Sequence, residues 1–183
     1  MVFVGVLEYS GTGAASVSVG GKAAEKVGGA YAYGASEWWV AKVPPGSGLT
    51  NVTATFASSR ASAVVVYVLK GGAGSNPSID HAAAGGNNTN GATAHFSTAA
   101  QVDDCAFAIG IKLMSNNVSG FTSNIRTPVL NASYVAFTNA GYGAGMIGPT
   151  LVARGAGAGY IGVTGADSSK PIQVSAIKIG KAA

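Results

Sequence analysis

The sequence predicts an all-β chain, a two-sheet antiparallel β-sandwich of the jelly-roll kind, built as one domain over residues 1–183. Three observations carry that expectation. Gly, Ala, Ser, Thr, Val and Asn dominate, while runs of Glu, Lys, Leu and Gln are missing, so strand and turn formers prevail over helix formers. No segment shows caps together with a sustained 3.6-residue period. Residues 37–69 read EWWVAKV, PPGSG, LTNVTATF, ASSR and ASAVVVYVL, three strand-like runs joined by two short turns, which describes a meander.

Within that meander Val52, Ala54 and Phe56 alternate with Asn51, Thr53 and Thr55, the period of two that a half-buried strand requires. Residues 63–69 are apolar at both parities and rich in β-branched side chains. They are expected mid-sheet, covered on each face.

The remaining elements follow in order. Residues 2–9 set Val2, Val4 and Val6 against Phe3, Leu7 and Tyr9, a well-buried first strand. Gly11 and Gly13 turn the chain into a strand over 15–19, and Gly20-Gly21 is a hairpin signal before a strand over 22–27. Residues 71–91, GGAGSNPSIDHAAAGGNNTNG, are nearly all turn formers and predict a long surface loop. A short strand is expected over 92–98 and a long one over 103–113, where Cys105, Phe107, Ile109, Ile111 and Leu113 share a face. After a loop at 115–124, strands are expected at 125–129 and 132–138. Glycine-rich connectors at 141–148 and 155–162 flank a further segment at 150–154. In the closing strand, 171–179, the apolar face switches from Ile172, Val174 and Ala176 to Ile177 and Ile179, which predicts a β-bulge near Ala176.

Composition narrows the function classes. Only 10% of residues are charged, against about 25% in an ordinary soluble domain, so an isolated monomer has little charge to keep it from associating. The formal net charge is +4, but the basic residues are scattered singly and not clustered with aromatics, which argues against nucleic acid as a partner. No apolar run approaches the roughly 20 residues that span a bilayer, so no membrane partner is expected either. The first residues, MVFVGVLEYSG, lack a basic stretch and are interrupted by Gly5 and Glu8, so they read as a strand and not as an export signal.

No constellation of catalytic or cofactor-binding residues stands out, and no cofactor or metal is expected. Gly143, Gly145 and Gly148, and again Gly157, Gly159 and Gly162, match a dinucleotide-binding spacing. That site needs a helix to open at the motif, whereas Pro149, Pro171 and β formers follow here. His81, His95 and the single Cys105 have no metal-ligand spacing. Cys105 lies on an apolar strand face, where an inert core thiol is expected. Asp103 and Asp104 are consecutive in a strand, point to opposite faces, and read as solvated carboxylates. No Gly-x-Ser-x-Gly elbow marks a nucleophile. The best binding feature is Trp38-Trp39: one ring must face a core, and the other faces solvent, a second sheet or a partner. An outward ring could stack on a sugar or anchor an interface, and a second layer would bury both.

The run SVSVGGKAAEKV, followed by EWWVAKVPPGSGLTNVTATFASSRASAVVVYVLKGG, resembles a β-sandwich module of bacteriophage structural proteins, also seen in some bacterial surface proteins. Gly20-Gly21, Trp38-Trp39, Pro45-Gly46, residues 52–55 and residues 64–71 carry the resemblance, with a looser match through 92–110 and the closing strand. It implies a non-enzymatic module displayed on a particle or cell surface, and it assigns no binding residues. The function expected is that of a virion structural protein, assembled in the host cytoplasm, that decorates the capsid exterior. Its partners would be the major capsid protein or another virion protein and further copies of itself, as a trimer or dimer. The rival expectation is a tail-fibre or surface module that binds a carbohydrate or receptor.

Overall fold

The computed structural model describes residues 1–9, 11–44, 51–59, 61–69, 77–86, 90–99, 104–113, 118–124, 129–137, 140–147, 158–165 and 171–180. The strands are β1 (Val2–Glu8), β2 (Ala14–Val19), β3 (Lys22–Ala23), β4 (Glu25–Ala30), β5 (Ala35–Ala41), β6 (Val52–Phe56), β7 (Ser62–Val68) and β8 (Ser78–Gly86). They continue as β9 (Gly91–Ala99), β10 (Cys105–Leu113), β11 (Val118–Ser123), β12 (Val129–Phe137), β13 (Ala140–Ile147), β14 (Ala158–Gly165) and β15 (Ile172–Gly180). The described residues contain no helix, and every strand pairing among them is antiparallel.

The all-β expectation holds, but four sheets form where two were expected. Their strand orders are β3-β2-β6, β4-β5-β1-β7, β12-β13-β10-β15-β8 and β11-β14-β9. Three hydrophobic clusters bind them into four layers, in that order. Val2, Val4, Val6, Trp39 and Ala41 meet Ala14, Val17 and Val19 between the first and second layers. Phe3, Leu7, Trp38 and Tyr67 meet Phe107, Ile109, Ile111, Ile177 and Ile179 between the second and third. Ala106, Ala108, Ile172, Val174 and Ala176 meet Ala94, Phe96, Ile161 and Val163 between the third and fourth. Residues 2–68 thus supply two layers and residues 78–180 the other two.

This layering explains the burial along the chain. Strands β1, β5 and β15 are buried at both parities because each lies inside a sheet that is itself sandwiched. Hence β15 carries no bulge near Ala176. Its register runs unbroken against both β10 and β8, and the change of apolar parity records one face packing on the second layer and the other on the fourth. The close approach of layers two and three needs Gly5. A Cβ there would lie 2.7 Å from a Val65 methyl, 3.0 Å from an Ile109 methyl and 3.2 Å from the Trp38 ring.

Several other expectations are corrected. The 63–69 run is not mid-sheet: β7 is an edge strand whose valine face the first layer does not reach. The stretch 71–91 is not one loop, since residues 78–86 form β8, nine residues paired in register along β15. Alanines and glycines disguised it as a turn, whereas an edge strand stacked on β15 needs only small side chains. Residues 22–27 divide into β3 and β4, which belong to different layers. The loop expected at 115–124 contains β11. Much of the glycine-rich stretches 141–148 and 155–162 is strand, β13 and β14, so the described glycines of both dinucleotide-like spacings sit in sheets and not before a helix. Residues 45–48 of the expected PPGSG turn, Asp103, the first residues of the 125–129 strand and the segment 150–154 lie outside the described residues.

Candidate functional site

Trp38 and Trp39, the residues singled out for binding, are both buried. Strand alternation sends them to opposite faces of the second layer, and each face has another sheet on it. The Trp38 ring lies among Tyr67 and Phe107, 6.2 Å from each by centroid, and its Nε1 donates to the Ser175 carbonyl at 3.0 Å. The Trp39 ring faces the first layer, and its Nε1 donates to Glu37 Oε2 at 3.1 Å. Neither ring is presented to a partner. They stitch layers instead.

Glu37 is the polar centre of the first seam. Its carboxylate is fully buried and accepts from the Ala14 amide at 2.9 Å, the Tyr31 hydroxyl at 2.7 Å, Trp39 and the Lys26 ammonium. Lys26 also lies over the Tyr31 and Trp39 rings. Burial works to lower the Lys26 pKa, but the hydrogen bonds to Glu37 and Tyr31 and the Glu37 charge outweigh it, and the net shift is upward. Burial, with Glu37 adding to it, also raises Tyr31. A carboxylate so fully occupied has no lone pair left for chemistry. It anchors the fold.

A second polar knot joins layers three and four. The buried Lys178 ammonium donates to the Thr98 carbonyl and hydroxyl, both at 2.7 Å, and to the Ala99 carbonyl at 3.0 Å. Asp80 and Asp104 lie 4.0 and 3.8 Å from it. Asp104 is therefore buried beside a cation and not solvated as the sequence suggested. Burial favours the neutral Asp80 acid. The Thr98 hydroxyl and amide, the Ser97 hydroxyl and the Lys178 charge override it, so its pKa is lowered.

The reactive side chains are placed for packing. Cys105 is buried, and burial with the Asp104 charge pushes its thiol up to about 11. His81, expected in a loop, sits on β8 with Nε2 3.0 Å from Ser175 Oγ. That serine is fully buried, and the half-buried His81 ring packs closely on Gly28 of β4, where a Cβ would lie 2.5 Å from it. Burial lowers the His81 pKa, with the Asp80 charge partly opposing. Among the described residues no three His, Cys, Asp or Glu side chains gather as a metal site would require.

What remains is surface. On β7, Ala63, Val65 and Tyr67 pack inward, while Val64, Val66 and Val68 are 43%, 41% and 51% exposed. Three valines on consecutive outward positions form an apolar stripe without a charge, on a strand whose outer edge has no partner among the described strands. The sequence showed the valines. It did not show that the first layer stops short of them. This stripe, and not the tryptophan pair, is the exposed feature best suited to a partner. Compared with known proteins, the chain matches no protein-family model, no curated protein and no solved structure.

Proposed function

We propose that this chain is a non-catalytic structural protein of a bacteriophage virion, a decoration or cement protein that binds the outer shell and associates with copies of itself. The observation that supports this reading best is the Val64, Val66 and Val68 stripe on the edge strand β7. Natural sheets protect such edges with lysine, proline or a bulge, and β7 has none of these, so its edge is suited to be covered on assembly. The low charge of the chain fits the same use, because a shell offers many equivalent docking points and weak apolar contacts then hold through multivalency. The polar clusters favour a structural role too: Glu37 and Lys178 spend their hydrogen bonds holding layers together.

The test joins two measurements. A mass-spectrometric inventory of the purified particle is expected to hold this chain in copy numbers comparable to the shell protein. Sedimentation of the isolated chain is expected to give a dimer or trimer that Val66→Lys converts to a monomer. A chain that stays monomeric and is absent from the particle overturns the proposal.

A further inference from the structure

We propose that Lys178 and Asp104 are the two halves of a self-forming amide cross-link, an isopeptide bond that ties β15 to the start of β10 within the third layer. The inference rests on this polar knot alone and stands whether or not the chain belongs to a virion. The bond would close residues 104–178 into a covalent ring, which restricts the unfolded chain.

Sheet register sets the reactants side by side. Lys178 pairs with Ala106 of β10 on one side and with Asp80 of β8 on the other, and Asp104 lies two residues before Ala106, on the same face. Gly180 leaves room for the carboxyl, since a Cβ there would lie 3.1 Å from Asp104 Oδ1. Lys178 Nζ is 3.8 Å from Asp104 Oδ2, and the two side chains are only 4% and 5% exposed. That separation is a small side-chain adjustment from the roughly 3–3.5 Å at which bonds form. The Phe96 ring, 5.7 Å from Nζ, lines the site.

The groups around Nζ also give its proton a route. Nζ donates to the Thr98 hydroxyl at 2.7 Å, and that hydroxyl donates to Asp80 Oδ2 at 2.7 Å. The Ser97 hydroxyl and the Thr98 amide hold the same carboxylate. Burial favours the neutral Asp80 acid, but these donors outweigh it and keep Asp80 a base. The two carboxyls beside one amine thus take different parts: Asp80 relays a proton, and Asp104 supplies the carbon that is attacked.

The step balances without an oxidant, reductant or cofactor. One proton passes from the Lys178 ammonium through Thr98 to Asp80 and on to an Asp104 oxygen, leaving an amine beside a carboxylic acid. The Nζ lone pair attacks Asp104 Cγ and the Nζ–Cγ bond forms. A second Nζ proton joins the departing hydroxyl, the Cγ–O bond breaks, and one water leaves. A buried site makes the neutral pair less costly than it is in water, and held reactants need no encounter.

The experiment is intact-mass spectrometry of the purified full chain, followed by a tryptic map. After several days folded, the chain is expected to weigh one water less than its sequence requires. Trypsin should then fail to cut after Lys178 and should release residues 71–112 joined to residues 155–181, with fragment ions placing the bond on Asp104. A chain transferred to urea before it has reacted should keep its full mass, because the fold alone brings the two groups together. Thr98→Val removes the relay hydroxyl and should slow the loss of water about a hundredfold. Asp104→Ala should prevent it. A folded wild type that keeps its full mass and is cut after Lys178, a bond placed on Asp80, or an equal loss of water in urea overturns the proposal.

Discussion

Tyr67 stacks on Phe107 across the central seam, with ring centroids 4.4 Å apart and planes inclined by 7°. One ring comes from the edge strand of the second layer and the other from the middle of the third, so the pair closes the join between the two halves of the chain. Phe107→Ala removes a buried ring from that seam and leaves a cavity, at a cost of about 3–5 kcal/mol. Tyr67→Ala removes the partner. If the stacking adds to plain burial, a double-mutant cycle by urea unfolding gives a coupling of about 0.5–1.5 kcal/mol. Strict additivity would mean that the two rings are mere neighbours.

Val65 and Val66 are adjacent on β7, yet substitution should separate them sharply. Val65 packs toward the Gly5, Trp38 and Ile109 seam, so Val65→Asp places an unpaired carboxylate against the core and should abolish cooperative folding. Val66 is exposed, and Val66→Asp should stay folded within about 1 kcal/mol of wild type while losing self-association. Thermal melting and sedimentation of both variants check this. A Val66→Asp protein that fails to fold would mean that the stripe is already covered within the chain.

Glu37 tests the first seam. Glu37→Gln keeps the shape but removes the charge and gives the site a donor where four donors already point. A loss of about 3–5 kcal/mol is expected, because the ion pair is broken and one pair of donors loses its acceptor in a buried site. Lys26→Met should cost less, because the Glu37 carboxylate that it leaves without a cation keeps its hydrogen bonds from Ala14, Tyr31 and Trp39. Equal costs for the two substitutions would show that the ion pair, and not the wider hydrogen-bond set, holds the seam.

Strand alternation made much of this legible. The parities of β1, β6 and β10 follow from the sequence because one-sided or two-sided apolarity is written directly in the residues. The class of fold follows for the same reason. The number of layers does not, because Val64 and Val66 read like Val4 and Val6 although only the latter are covered. Coverage depends on how far a neighbouring sheet extends, and that is settled by long-range pairing. Strand β8 was hidden by its composition, since Ala82, Ala83 and Ala84 carry no β signal of their own and are ordered by β15. The tryptophan pair was correctly confined to two faces, but only the presence of a sheet on each face decides its use. The polar side chains Lys178, Gln173 and Lys112 lie buried where a period-two reading sees exposed positions.

The titratable groups predict a stability that falls on both sides of neutrality. On the alkaline side Cys105 holds its proton to about 11 in the folded chain, against 9.0 for an ordinary thiol. The unfolded chain loses that proton first, so stability is intact below pH 9 and falls by on the order of 2–3 kcal/mol as pH rises toward 11. Lys26 and Tyr31, both raised, act in the same direction at higher pH. On the acid side His81 is lowered from 6.5 and Asp80 from 3.8, so the unfolded chain takes up protons first, and stability falls as pH drops through each value. Urea midpoints measured from pH 3 to pH 11 should therefore trace a plateau with two falling limbs. Cys105→Ala should flatten the first part of the alkaline limb, and His81→Gln the part of the acid limb that begins near pH 6.5. In the wild type, thiol labelling at pH 8 should be slow until urea unfolds the chain, because the folded thiol is both covered and protonated. Rapid labelling of the folded chain, or a midpoint that stays level from pH 9 to pH 11, would put Cys105 on the surface and reverse the facing of β10.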